Sequence, residues 1–234
     1  MNYLKYFFAQ ILIFFYKLTS DYGLAVILLT LLVKLVTLPL SIKQMNSTRA
    51  MQKIAPEQKK LQEKYKDNPD KMNKELMELY KANHVNPLGG CLPLLIQFPV
   101  LIAVFAVLKN PQIMYDAIPS FSPFFAGLVN LNKSCWELFK ESTGIFGYII
   151  PAVIPILAAV TTFYQSKLTM QGQNANAAGM GSMTAFMPLM ILVFSITTPQ
   201  GLPLYWLVGN LFAIAQHFIF VRPASVAEQG GDEQ

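Results

Sequence analysis

The sequence predicts an all-α polytopic membrane protein, a five-helix transmembrane core with a cytoplasmic helical hairpin. Three observations lead there. Of the 234 residues 53% are apolar and 13% charged, against about a quarter charged in an average soluble domain. Several apolar windows approach the roughly 20 residues that a helix needs to cross the hydrocarbon. The positive charge, formally +5 overall, is concentrated in one segment rather than spread along the chain.

Residues 1–20 form an apolar segment interrupted by Lys5, Gln10 and Lys17. It is short for a span, so it is expected as an amphipathic or interfacial helix with its lysines reaching for water; a spanning or cleaved helix is the alternative. Residues 22–42 make the first span. Residues 43–87 are different, with ten Lys or Arg against six acids. Met51, Ile54, Leu61 and Tyr65, then Met72, Leu76, Leu79 and Tyr80, recur at helical spacing. DNPD at 67–70 can turn the chain between them, with Asn68 as N-cap and Pro69 at the first helical position. The expectation is a hairpin of two helices in water.

Residues 88–108 form the second span and 109–144 a wetter external region with Trp136 and three prolines. The third span is 145–168, a Gln, Asn and Gly-rich connector occupies 169–182, and the last spans are 183–198 and 202–221 before a short tail, 222–234. Positive residues mark the untranslocated side. Hairpin and C-terminus are therefore expected in the cytoplasm and the N-terminus outside. Cys91 and Cys135 then lie on opposite sides, which argues against a disulfide. His84 and His217 are isolated, and no HExxH, P-loop or GxSxG pattern occurs. No cofactor, metal or catalytic residue is expected, and the chain reads as no enzyme.

Lys34 lies inside the first span, about eight residues or roughly 12 Å from Ile42, which is far for snorkelling alone. A lysine at mid-membrane costs about 2.5–3.5 kcal/mol on insertion scales. Thr30, Lys34 and Thr37 share one helix face by their spacing of four and three. No Asp or Glu falls in any of the five predicted spans, so a hydrated groove explains Lys34 better than a buried ion pair or a proton relay. Gln97, Thr161, Thr162, Gln165, Ser166, Asn210 and Gln216 add polar groups to the other spans. They can serve a groove or simply join helices. Tyr205 and Trp206 can equally be anchors at a membrane interface.

GLAVILLTLLVKLVTLPL at 23–40, MQKIAPEQKKLQEKYK at 51–66 and NPLGGCLPLLIQFPVLIAVFAVL at 86–108 resemble the YidC family of membrane protein insertases, related to the mitochondrial Oxa and chloroplast Alb proteins. PLYW at 203–206 adds weaker support. The resemblance covers essentially the whole chain and resembles the compact form, since 109–144 is too short for a large external domain. It implies a bacterial cytoplasmic membrane location and a hydrophilic groove open to lipid and cytoplasm. The family usually carries arginine where this chain has Lys34; lysine keeps the charge and loses the planar fork of donors. Gln97, Gln165 and Trp206 are groove or substrate-contact candidates by the same resemblance, and the hairpin its mobile substrate-receiving element.

The expected function is therefore insertion and chaperoning of newly made membrane proteins. The implied partners are nascent membrane proteins, membrane lipids and the Sec translocon, with ribosome and signal recognition particle contacts through the basic hairpin 43–87. The tail carries Arg222 against three acids and is not suited to hold RNA. No cysteine near the N-terminus offers a lipidation site. The alternative is an accessory folding or assembly chaperone working only with Sec. A transporter would favour intramembrane acids and inverted repeats, and neither is found.

Overall fold

A computed structural model of the chain describes residues 2–85, 92–170 and 180–220. Asn86, Pro87 and Cys91 of the NPLGGC motif, most of the connector, and the tail with Arg222 lie outside the described residues. The described chain is largely helical. Its helices are α1 (Asn2–Thr19), α2 (Tyr22–Val36), α3 (Leu38–Lys64), α4 (Pro69–Ala82), α5 (Leu92–Leu108), α6 (Gln112–Ala117), α7 (Cys135–Glu141), α8 (Ile145–Met170), α9 (Met180–Thr197) and α10 (Gly201–Phe220). A two-residue antiparallel ribbon, β1 (Phe124–Phe125) and β2 (Val129–Asn130), interrupts the loop region between α6 and α7.

By length and composition, Ile145–Thr169 and Gly201–Phe220 can cross a membrane, and a third crossing arises if α2 and α3 count as one broken span. Those two helices meet at 63°, where the sequence predicts a single helix over 22–42. Pro39 causes the break. It has no N–H for the Leu35 carbonyl and disfavours helical backbone in the residue before it. The Thr37 hydroxyl turns back onto the carbonyls of Val33 at 2.9 Å and Lys34 at 3.3 Å. The basic segment expected to start at residue 43 thus belongs to a helix that begins at Leu38.

α3 and α4 pack on each other across a turn. Asn68 caps α4 by accepting from the Lys71 N–H at 3.1 Å, with Pro69 at the first helical position. Ile54 and Ala55 of α3 and Leu76 of α4 are buried. The near part of α3 is tied to the ends of two other helices. Gln216 Nε2 donates to Ser41 Oγ at 2.6 Å, Arg49 to the Phe220 carbonyl at 3.1 Å and Gln52 to the Thr169 carbonyl at 3.0 Å. Carbonyls in the last turn of a helix lack intrahelical donors and carry the negative end of the dipole. A guanidinium and an amide meet that need here.

α1 packs one face into the bundle. Its residues Phe8, Ala9, Leu12, Ile13 and Tyr16 form a helical stripe buried in the main core with Tyr22, Leu29, Val104 and Met114. Tyr16 Oη, near its end, accepts from the Ser122 N–H at 2.8 Å. Phe7 and Gln10 share an open apolar groove with Leu32, well along α2. The helix therefore runs back against α2, and its short length is compensated by packing on α2 and α5.

The loop end of the bundle is held by backbone pairing. Asp21 caps α2 through Leu24 N–H at 2.9 Å and also accepts from Ala126 N–H at 2.6 Å. Gly23 lies under the Phe125 ring, where a Cβ would overlap it. Ser134 and Glu137 form a capping box on α7, and hydrogen bonds from the Ser134 backbone and hydroxyl hold the Glu137 carboxyl below its usual range. Burial pushes the Cys135 thiol up, opposed by a hydrogen bond with Gln200.

Gln200, fully buried in the α9–α10 turn, joins three parts of this end. Its backbone N–H and that of Gly201 donate to the carbonyls of Lys133 and Leu131, each at 3.0 Å. Its side-chain Nε2 donates to the Pro151 carbonyl at 2.9 Å. That carbonyl is an orphan because Pro155, four residues on, has no N–H. Gln200→Leu is expected to cost about 1–3 kcal/mol by leaving a buried acceptor unpaired. The cost should shrink in a Pro155→Ala background, where residue 155 regains its donor. Thermal unfolding in detergent measures both, and equal losses in the two backgrounds contradict the assignment.

Candidate functional site

Lys34 sits in the last turn of α2, half-buried. Its stem crosses α10 at Gly209, so closely that a Cβ on that glycine would stand 3.2 Å from Cε and 3.6 Å from Nζ. No carboxylate pairs with it among the described residues. The ammonium keeps its charge only if water reaches it, since an unpaired ion in a dry interior costs several kcal/mol.

The rest of the threonine stripe is placed differently. Thr30 is 0% exposed and donates to the Val26 carbonyl at 2.7 Å. Thr37 is half-buried and bonded back to Val33. Both hydroxyls are satisfied within α2 and its bend, and of these two only Thr37 touches solvent. Their spacing in the sequence does not reveal that Thr30 is sealed within the bundle.

α10 presents two polar faces. On the first, Gln97 of α5 donates to Tyr205 Oη at 3.0 Å, and Tyr205 is buried. Tyr205 and Gly209 are four residues apart, hence about 5–6 Å from each other on one helix face. Gln97 and Lys34 thus meet α10 one turn apart. On the second face, Trp206 Nε1 donates to Thr162 Oγ1 at 3.1 Å, and Asn210 Nδ2 donates to Thr162 at 2.8 Å and Thr161 at 3.2 Å. Thr162 in turn donates to the Ala158 carbonyl at 2.7 Å. Gln165, half-buried, follows Thr161 and Thr162 by four and three residues on α8, so it extends this row toward the α3 end.

The candidates therefore fall into two groups, Lys34 with Gln97 and Trp206 with Gln165, on adjacent sides of α10. Tyr205, Gly209, Thr162 and Asn210 complete them. Asn210 and the threonine pair were visible in the sequence as polar groups in apolar runs, but their joint bonding was not. Tyr205 could be read as an interface anchor, yet it is an acceptor within the bundle. Nothing in the sequence marks Gly209. The site offers an ammonium, amides, hydroxyls and an indole, a set suited to binding. Among the described residues no cluster of His, Cys, Asp or Glu could hold a metal.

Fold and site together define a polytopic α-helical membrane protein in which a lysine from α2 and polar groups from α5 and α8 are arranged around α10. A family profile described as 60Kd inner membrane protein matches residues 14–227. The chain is 37% identical over 236 residues to "Membrane protein insertase YidC 2" of Bacillus anthracis, spanning 98% of this chain and 84% of that one. It is 38% identical to "Membrane protein insertase MisCA" of Bacillus subtilis, over 95% and 79% of the two chains. A solved structure described as the active YidC insertase with its first transmembrane domain resolved is similar at a TM-score of 0.64 and 26% identity; the likeness covers 92% of this chain and 45% of that one. The chain belongs to the YidC/Oxa/Alb family of 60Kd inner membrane proteins.

Interhelical polar contacts in membranes contribute about 0.6 kcal/mol on average and up to about 1.7 kcal/mol. Asn210→Leu, which removes two interhelical bonds to the threonines, is expected at or above the upper figure. Trp206→Phe, which leaves Thr162 bonded to Asn210, is expected near the average. Unfolding of both variants in the same detergent checks the order, and a larger loss for Trp206→Phe contradicts it.

Proposed function

We propose that this chain inserts hydrophobic segments of newly made proteins into the cytoplasmic membrane and chaperones them there, with Lys34 as the charge of a groove open to water and lipid. One observation carries the reading. In a chain closely related to membrane protein insertases, a half-buried lysine with no carboxylate partner among the described residues lays its stem across α10 at Gly209. The work is binding and release, not covalent catalysis.

Magnitudes support this use of the charge. Carrying one carboxylate through mid-membrane costs about 2.5–3.5 kcal/mol on insertion scales. An ammonium about 4 Å away gives about 4 kcal/mol at an effective dielectric near 20. One lysine can therefore offset the crossing of one acid, while the apolar part of the client moves sideways into lipid. Gln97 and Thr37 extend the polar lining around it. Gln165 and Trp206 offer a second row, and because the Trp206 N–H is committed to Thr162, its ring is the part left for a client.

The finer topology belongs to this proposal. α2 with the start of α3, then α5, α8, α9 and α10, form five spans. The α3–α4 hairpin, rich in lysine, stands in the cytoplasm by the positive-inside rule. The 109–144 region faces outside, and α1 runs back along α2 from that side. Nascent membrane proteins and lipids are the immediate partners. The Sec translocon, the ribosome and the signal recognition particle are partners proposed from the family, the last two through the basic hairpin.

Purified protein in anionic-lipid vesicles should protect from protease a small client with an acidic translocated segment. Lys34→Ala is expected to reduce insertion about tenfold, equivalent to roughly 1.4 kcal/mol, and Lys34→Arg to retain it. A client with its acids changed to amides should not distinguish the three proteins. Equal insertion of the acidic client by all three rejects the charged groove, and insertion no better than in empty vesicles favours a chaperone that needs Sec.

A further inference from the structure

α10 carries a bare backbone position where the stem of Lys34 crosses it. A Cβ at residue 209 would approach Lys34 Cε to 3.2 Å and Nζ to 3.6 Å, and the first distance is tighter than ordinary van der Waals contact. The next residue, Asn210, is fixed by its bonds to Thr161 and Thr162. Four residues earlier, Tyr205 is fixed by burial and by Gln97. α10 therefore cannot easily turn or slide to relieve a contact at 209, and the flexible lysine end must move instead.

We propose that Gly209 is a positioning residue for the groove charge. Its missing side chain leaves a notch on α10 that holds the Lys34 ammonium within the helix bundle, one turn from Gln97, rather than extended along α2 into bulk water. This rests on the proposed role of Lys34 and adds the element that sets where its charge stands. A glycine in mid-helix costs about 1 kcal/mol relative to alanine, so the notch carries a stability cost for the placement. The fold itself has no need of the conformational freedom of glycine here, because residue 209 is ordinary helix.

The test separates position from activity. Protein in vesicles is treated with a water-soluble acylating reagent, and modification of Lys34 is followed by mass spectrometry relative to Lys66, which is exposed on the far part of the hairpin. Gly209→Ala and Gly209→Ser are expected to raise the Lys34 rate at least threefold, because the displaced ammonium moves toward water. The same variants should insert the acidic client several-fold less well while inserting its amide version as the parent does. General damage to the fold would lower both, and the alanine and serine variants together guard against one failing to fold. Unchanged Lys34 reactivity overturns the proposal, as does raised reactivity with acidic-client insertion unaltered. A parent protein that inserts no client rejects the insertase reading itself, while the acylation ratio still decides whether Gly209 seats Lys34.

Discussion

A bilayer offers a buried polar group no water to bond with, so a helix that carries amides and hydroxyls into it must find their partners on other helices. Much of the geometry here follows from that constraint. Asn210 reaches Thr161 and Thr162, Gln97 reaches Tyr205, and Gln216 reaches Ser41. Each contact joins two helices at one register, so together they fix α10 against α8, α5 and α3. Lys34 is treated differently. It has the largest demand for solvation and no carboxylate partner among the described residues, and the fold leaves it half-buried where the other groups have set the walls. A charge that is neither neutralised nor fully hydrated is what the proposed client-binding role requires.

The prolines show the same constraint from the side of the backbone. Pro155 removes a donor from α8 and Gln200 supplies one from another part of the chain. Pro39 ends α2, and Thr37 folds its hydroxyl back over the gap. In both places a local defect is repaired by a side chain, and the repair also sets geometry. One ties the loop region before α7 to α8, and the other aims α3 away from α2.

The general helical plan was legible because composition, window length and charge blocks report directly on solvent. Asn68 and Pro69 gave the turn before α4 because capping is a local matter. The bend at Thr37 was missed: a proline near a helix end looks like an ordinary terminus when a second helix follows at once. The length and lysines of α1 suggested an interfacial helix, and they did not disclose the face it packs on α2 and α5. Lys34 could be singled out because its cost stands alone. The sealing of Thr30 and the notch at Gly209 depend on which helix lies opposite, which no periodicity encodes.

The bend at Thr37 has a mechanical side. α3 runs from Leu38 to Lys64, about 40 Å at 1.5 Å per residue. A swing of about 10° displaces its far end by roughly 7 Å, while the turn bearing Lys34, directly on the other side of the pivot, moves by about a tenth of that. The bonds from Arg49 and Gln52 grip the long arm about halfway along. The arrangement is a geared lever with a restraint. By this geometry a large swing of the distal α3–α4 arm would reach the turn bearing Lys34 as an adjustment of less than an ångström.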